Sequence, residues 1–167
     1  YLAALRLFGN FLNVITGDSL VVDRWIWLKK NLPKTRNGEK LLDIGCGSGA
    51  FTMEAALRGY VAIGLSWDQG NQEKAMERAE VLGISPKCSF PVFDARKLDE
   101  FPNSVETFDW VVNFENIEHI HNDRKLIGDI ARILKPGGHL LLTTPYLNYF
   151  PMSMEDMGPF ESIENGG

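Results

Sequence analysis

The residues best suited to acid–base or metal chemistry lie in one short run, positions 115–121, which reads ENIEHIH. Two carboxylates and an imidazole, those of Glu115, Glu118 and His119, are ligands that suit Mg²⁺ or a similar divalent cation. Without a metal, the neutral imidazole of His119 or His121 could accept a proton near neutral pH. The run therefore holds a candidate metal site and three candidate catalytic residues, Glu115, His119 and His121.

A second stretch, positions 41–58, reads LLDIGCGSGAFTMEAALR. An apolar run breaks into three closely spaced glycines and a helical pattern follows, which predicts a strand, a glycine turn and a helix N-terminus. Glycine permits positive φ and leaves room for a ligand beside the backbone. The spacing is G-x-G-x-G, whereas dinucleotide sites have G-x-G-x-x-G. Asp43, two residues before the first glycine, suits a cationic ligand such as an α-amino group better than a pyrophosphate.

This motif, D-I-G-C-G-S-G, resembles motif I of the class I S-adenosylmethionine (SAM) methyltransferases. The resemblance implies that Gly45 and Gly47, with Cys46 between them, line the methionine end of SAM. It also implies that Asp43 reaches the SAM ammonium group through water or backbone. The string LKPGGHLLLTTP at positions 134–145 resembles the same family before and through its fifth strand.

The resemblance also assigns residues to the ribose and the adenine ring. The family usually has an acid at the end of its second strand, but this chain has Ser66 there. Either Asp68, two residues on, binds the ribose hydroxyls, or Ser66 and Gln72 bind them more weakly. Trp67 falls where the family places an apolar side chain on the adenine face, and an indole there would stack on the base. The alternative for Trp67 is an ordinary core position.

Two further positions follow from the family pattern. The string FDA at positions 93–95 resembles the motif whose acid accepts a hydrogen bond from the adenine amino group, which implicates Asp94 and Ala95. The alternative is that Asp94 only caps a helix or turn. Asn113 and Phe114 end the predicted fourth strand, where the family's backbone carbonyls meet the SAM ammonium.

The run at 115–121 has its own resemblance, to the E-x-x-E-H metal motif of ubiquinone-pathway O-methyltransferases and small-RNA 2′-O-methyltransferases. By that resemblance, Glu115, Glu118 and His119 would bind a metal such as Mg²⁺, which lowers the pKa of an acceptor hydroxyl. The sequence has no secure match to the fourth ligand of that motif. The alternative is a Glu-His pair that only packs beside the cofactor.

Alternating strand and helix patterns predict the elements that position these residues. We expect an α/β fold, a three-layer Rossmann-like sandwich with a mostly parallel sheet in the order 3-2-1-4-5. The third strand contains Pro91, which lacks a backbone N–H, so this strand should lie at the sheet edge. The five predicted strands are Leu41–Ile44, Tyr60–Leu65, Ser89–Phe93, Phe108–Phe114 and His139–Thr144.

The whole chain, 1–167, is predicted to form one SAM-binding domain. Positions 1–38 form an N-terminal helical segment, which either packs on the sheet or covers the site as a lid, and positions 39–145 form the core. Positions 146–167 are an irregular tail. The family's final β-hairpin is missing from the sequence, so we expect either a truncated chain, which we favour, or a partner that covers the edge of the fifth strand.

Composition narrows the class of partner. The 167 residues carry a formal net charge of −5, which argues against general nucleic-acid binding. No stretch approaches the length of a membrane span, and the two cysteines suggest neither a disulfide framework nor a zinc site, so we expect a cytoplasmic protein.

The sequence thus predicts methyl transfer from SAM to an acceptor, an oxygen of a small molecule or glycan. One alternative is a SAM-binding regulatory module without catalysis. The other is an NAD-dependent oxidoreductase, disfavoured by the glycine spacing and by Ser66.

Overall fold

Five parallel strands form the centre of the structure, a computed structural model that describes residues 1–16 and 19–145. Their order is β3-β2-β1-β4-β5, and every paired neighbour is parallel. This confirms the predicted fold class and strand order. The predicted irregular tail, 146–167, lies outside the described residues. The strands are β1 (Lys40–Ile44), β2 (Val61–Leu65), β3 (Cys88–Ser89), β4 (Phe108–Phe114) and β5 (Leu134–Thr143).

Helices cover both faces of the sheet and make three layers. On one face, α3, α4 and α5 contribute apolar side chains such as Leu28, Met53 and Ala79 to one cluster. On the other face, α6 contributes Leu126 and Ile130, spaced one helical turn apart, to a second cluster. The helices are α1 (Leu2–Phe8), α2 (Phe11–Ile15), α3 (Ser19–Asn31), α4 (Ala50–Leu57), α5 (Gln69–Val81) and α6 (Asp123–Ile133).

The edge strand β3 is shorter than predicted, although its place is correct. It pairs only with β2, and the ladder beyond it is reduced to an isolated bridge between Ser66 and Val92. Pro91 lies in this gap and cannot donate to a ladder, which explains the interruption. The predicted continuous strand Ser89–Phe93 is therefore wrong in extent.

The last strand also begins earlier than predicted. β5 starts at Leu134 rather than His139, because the Pro-Gly-Gly sequence forms an irregularity within the strand instead of a turn before it. Gly137 has φ +80°, which absorbs the shift in register between β4 and β5.

The N-terminal helices pack on the core. Leu28 and Leu32 of α3 are fully buried, and the Asn10 side-chain amide of α2 donates to the Ala50 carbonyl at the start of α4, at 2.9 Å. Whether this segment also acts as a lid stays a prediction. Within the described ranges, no helix is long and apolar enough to cross a membrane.

Candidate active site

A cavity of about 320 Å³ lies where β1, β2 and β4 end. The carboxyl ends of parallel strands are where ligands gather in open α/β sheets. Several predicted cofactor residues line it (Gly45, Gly47, Ser66, Trp67, Asp68 and Ala95), as does the predicted base His119. Four further residues complete the described lining: Leu65, Asn71, Phe93 and Asn116.

The glycine turn needs its glycines for two different reasons. Gly45 has φ +78°, and a Cβ there would lie 2.6 Å from the side-chain Cγ of Asn116. Gly47 has φ +52°, and a Cβ there would meet no described atom within 4 Å, so it would project into open space at the cavity wall. The turn is thus packed on one side and open to a ligand on the other.

The helix after the turn begins at Ala50. Its N-cap is Gly49, in the left-handed conformation, although the preceding Ser48 is of a residue type that commonly caps helices. The Ser48 hydroxyl instead accepts a hydrogen bond from Nη1 of Arg78 at 2.6 Å. That contact ties the turn to α5.

Asp43 lies beneath the turn and does not line the cavity. Its side chain is 1% exposed, and its Oδ2 accepts a hydrogen bond from the Thr52 hydroxyl at 2.6 Å. Burial raises the pKa of Asp43 from 3.8 to about 6, although the hydrogen bond from Thr52 acts in the opposite direction. A cation bound above the turn would favour the charged form, so the predicted link between Asp43 and the SAM ammonium is electrostatically reasonable and stays a prediction.

Cys46 is also buried, away from the cavity. Its thiol contacts Oε1 of Gln72 at 3.4 Å, and burial together with the Asp43 charge raises the thiol pKa well above its usual value. Gln72 is fully buried and donates to the carbonyls of Gly64 and Pro91 at 2.9 and 2.5 Å. Gln72 therefore joins β2 to the edge strand and is not available to a ligand.

The residues after β2 form the cavity wall that is predicted to contact the ribose and the adenine ring. The Ser66 hydroxyl accepts from the Asp68 backbone N–H at 3.2 Å, and Asp68 caps α5 by accepting from the Asn71 N–H at 2.7 Å. Trp67 is 60% exposed and lines the cavity, so the alternative of an ordinary core position is wrong. An exposed indole at a cavity wall offers a stacking surface.

The geometry of Asp94 fits its alternative role, that of a residue that caps a helix or turn. It is the N-cap of a 3₁₀ turn (Ala95–Glu100) and accepts from the Arg96 backbone N–H at 3.0 Å. Its carboxylate also accepts from the Arg96 guanidinium at 2.7–2.9 Å, which lowers the Asp94 pKa. Ala95 and Phe93 line the cavity but Asp94 does not. Its contact with adenine stays a prediction.

Of the two histidines that follow β4, one lines the cavity. A 3₁₀ turn over Ile117–His119 carries His119 into the lining, whereas the exposed His121 lies outside it. Oε1 of Glu118 lies 4.0 Å from Nε2 of His119. Burial, together with the nearby charge of Glu115, raises the pKa of Glu118.

The predicted metal ligands are not brought together. Glu115 has φ +48°, and its Oε2 lies 3.7 Å from Nη1 of Arg24 on α3. Glu118 and His119 pair with each other instead. Across residues 1–16 and 19–145, no group of three or more His, Cys, Asp or Glu side chains is placed to hold a metal ion. The structure thus directs Glu115 to a cation of its own, and metal binding by Glu115, Glu118 and His119 stays a prediction.

Polar atoms without partners concentrate at this end of the sheet. Asn113 is fully buried, and neither the oxygen nor the nitrogen of its side-chain amide has a hydrogen-bond partner among the described residues. Three further side-chain atoms are also buried without such a partner: Nδ2 of Asn116, Oε2 of Glu118 and Oγ1 of Thr143. Unpaired buried polar groups cost about 1–3 kcal/mol each, and they point to bound water or a polar ligand. Together with the open side of Gly47, they fit a site built for a polar cofactor.

Phe114 serves the core instead. Its ring packs edge-on against Trp27 and Phe51, at 5.7 and 5.1 Å between centroids. The predicted role of its backbone carbonyl, and that of Asn113, stays a prediction.

Sequence reasoning missed Asn116 and Asn71 as lining residues. Asn116 follows the predicted fourth strand, so its position at a strand's carboxyl end was a usable signal. Asn71 sits in the first turn of α5, and nothing in its sequence context separates it from a solvent-facing residue.

Sheet order, glycine turn and cavity position together define a Rossmann-like α/β domain with a cavity at the ends of β1 and β2, where open α/β sheets commonly bind ligands. Residues 25–166 match the family described as methyltransferase domain. The chain therefore belongs to the class I SAM-dependent methyltransferase family.

Curated relatives agree with this family. The chain is 33% identical over 107 residues to a ubiquinone biosynthesis O-methyltransferase from Aliivibrio fischeri, covering 64% of this chain and 44% of that protein. It is 33% identical over 121 residues to 27-O-demethylrifamycin SV methyltransferase from Amycolatopsis mediterranei, covering 72% and 43%. The chain thus spans less than half the length of these relatives.

Solved structures share the fold. The [4+2]-cyclase SpnF is 27% identical with a TM-score of 0.65, covering 75% of this chain and 45% of that one. Geranyl diphosphate methyltransferase in complex with SAM is 22% identical with a TM-score of 0.64, covering 72% and 47%.

Proposed function

We propose that this chain transfers a methyl group from SAM to an oxygen of a small molecule. One observation carries the proposal: a single cavity joins the glycine turn at Gly45 and Gly47 to His119 beyond β4. A cofactor held on the turn would share that cavity with a proton acceptor. The names of the two curated relatives describe methyl transfer, in one case explicitly to oxygen.

In this proposal different residues of the cavity wall bind different parts of SAM. Gly45 and Gly47 admit the methionine end close to the backbone, where a side chain would intrude. The indole of Trp67 stacks on the adenine ring, and Ser66 and Asp68 face the ribose. Asp94 would reach the adenine amino group only by giving up part of its pairing with Arg96.

Bound SAM would supply a methyl group already activated on a sulfonium, so alignment and proton removal are the tasks left to the protein. As the acceptor oxygen bonded to the methyl carbon, the carbon–sulfur bond would break and S-adenosylhomocysteine would leave, and His119 would accept the proton of the acceptor hydroxyl. Glu118 lies beside this imidazole, with its Oε1 4.0 Å from Nε2 of His119.

Three finer points belong to the same proposal. A glycan hydroxyl is a second acceptor class, because the chemistry at oxygen is the same. Mg²⁺ would use Glu115, Glu118 and His119 only if Glu115 left Arg24. The cytoplasm is the expected location, because Cys46 and Cys88 are both free thiols.

The test is transfer of a labelled methyl group from SAM to panels of phenols, aliphatic alcohols and oligosaccharides, with product analysis at oxygen. We expect an ether product, and we expect His119→Gln to lower the rate by about 100-fold or more while SAM affinity changes little. His121→Gln is the matched control, since this exposed residue does not line the cavity.

Two outcomes would overturn the proposal. Tight SAM binding without transfer to any hydroxyl would favour another use of the fold, as in the cyclase SpnF, or a regulatory module. Equal loss in the His119→Gln and His121→Gln variants would remove His119 as the base. Repeating the assay with a chelator and with added Mg²⁺ decides whether methyl transfer needs a metal ion.

A further inference from the structure

Two consecutive side chains of α3 contact two separate segments of the chain, the one after β4 and the helix α4. Nη1 of Arg24 lies 3.7 Å from Oε2 of Glu115, which directly follows β4. Nε1 of Trp25 donates to Oε2 of Glu54 at 2.9 Å, and Glu54 belongs to the helix after the glycine turn. One helix therefore contacts both the helix that follows the glycine turn and the segment that carries Asn116 and His119 into the cavity lining.

We propose that Arg24 is a positioning residue, which holds the segment Glu115–His119 in place through the carboxylate of Glu115. It touches neither the cavity nor any reacting atom, so its effect on the site passes through Glu115. The proposal gives Glu115 an anchoring role in place of the predicted catalytic or metal-binding one.

The backbone at Glu115 explains why an anchor is needed. Its φ of +48° lies in the left-handed region, which a residue with a Cβ adopts only when its surroundings hold it there. The Glu115 N–H donates to the Thr143 carbonyl at 3.0 Å, which fixes the backbone side. Arg24 holds the side chain of Glu115 through their ion pair. Both side chains are largely shielded, with 16% and 25% exposure, so the ion pair is less screened than a surface pair.

The conformation of Glu115 affects two cavity-lining residues that follow it within four positions of the chain. Asn116 and His119, both in the lining, follow Glu115, and the His119 N–H donates to the Asn116 carbonyl at 3.1 Å. If Glu115 lost its conformation, both lining side chains would move with the backbone. The link to SAM and to proton transfer rests on the proposed function, but the anchoring itself does not.

Hydrogen exchange with mass spectrometry tests the anchor without an acceptor. We expect Arg24→Gln to speed exchange about fivefold in peptides covering residues 114–121, the size expected for losing one partly shielded ion pair. Arg24→Lys should restore most of the protection because it keeps the charge. Glu115→Gln should match Arg24→Gln, and the double variant should add nothing further, because both changes break one interaction.

A matched control separates anchoring from general loosening. Trp25→Phe removes the hydrogen bond to Glu54 but keeps an aromatic ring, so faster exchange should appear in α4 and not at 114–121. Unchanged exchange at 114–121 in Arg24→Gln, or additive effects in the double variant, would overturn the proposal. So would an equal rise in every peptide, since it would indicate an ordinary stability loss.

Calorimetry with SAM then separates this proposal from the proposed function. If the wild type binds SAM, Arg24→Gln should weaken binding several-fold because Asn116 lines the cavity and packs beside Gly45, and unchanged affinity would count against the positioning role. If the wild type binds no SAM, the proposed function fails, while the exchange data still decide whether Arg24 anchors Glu115.

Discussion

Replacing the buried Asp43 by Asn should make the protein more stable near neutral pH. Asp43 is 1% exposed, with Thr52 as its hydrogen-bond donor, and burial raises its pKa from 3.8 to about 6. An ionised carboxylate in this position therefore destabilises the folded state. Asparagine has nearly the same shape and keeps an oxygen that can accept from Thr52, but it carries no charge.

The sign and size follow from the two pKa values. Below pH 3.8 both folded and unfolded Asp43 are protonated, so its ionisation has no effect on stability. As pH rises from 3.8 to about 6 the unfolded chain loses this proton first, and stability falls. Above pH 6 the penalty is constant, at about 3 kcal/mol for this difference in pKa.

Urea unfolding of wild type and Asp43→Asn between pH 4 and 8 measures this penalty. The stability advantage of the variant should grow with pH through the window from 3.8 to 6 and then level off. Thr52→Val, which removes the donor, should move the midpoint to higher pH. A stability difference that does not change with pH would refute the reasoning.

The same change should weaken SAM binding, because the negative charge beneath the glycine turn is lost. A destabilising group retained beside a site is the usual sign of a function that needs it. In calorimetric titrations, the wild type should bind SAM more tightly as pH rises through 6, and Asp43→Asn should lose that dependence. A pH-independent wild-type affinity would contradict this link.

Three further variants test the cavity. Gly47→Val should abolish SAM binding while circular dichroism stays native, and unchanged affinity would contradict the turn's role. Asp94→Ala should weaken SAM by about 1–2 kcal/mol but spare an analogue without the adenine amino group; equal losses in the two titrations would count against the adenine contact. Gly45→Ala should lower the melting temperature because its Cβ would meet Asn116, and Asn116→Ala should restore part of the loss; no restoration would refute the clash.

The sheet could be predicted because its signals are local. Pro91 alone indicates an edge strand, and the closely spaced glycines indicate a turn at the end of β1, whatever the rest of the chain does. The buried face of a helix follows less directly from spacing. Spacing places Met76 in one apolar stripe with Ala79, yet Met76 is 50% exposed, because small side chains such as Ala75 and Ala79 fill the contact with the sheet.

The functional site was harder to predict than the sheet, because an aspartate after a strand can serve two purposes. Asp68 and Asp94 are each placed where the family pattern expects a ligand contact, and each also caps a helix or turn. Sequence spacing cannot separate these roles, since both need an acid directly after a strand. The pairing of Arg24 with Glu115 joins positions far apart in the chain, so only the packing of α3 beside β4 reveals it.

The most direct test of the central claim is calorimetric titration of the wild-type chain with SAM and, separately, with NAD. The cavity between the glycine turn and His119 predicts one saturable site for SAM and no binding of NAD, because the turn lacks the dinucleotide spacing. Saturable binding of NAD with no heat from SAM would contradict the account.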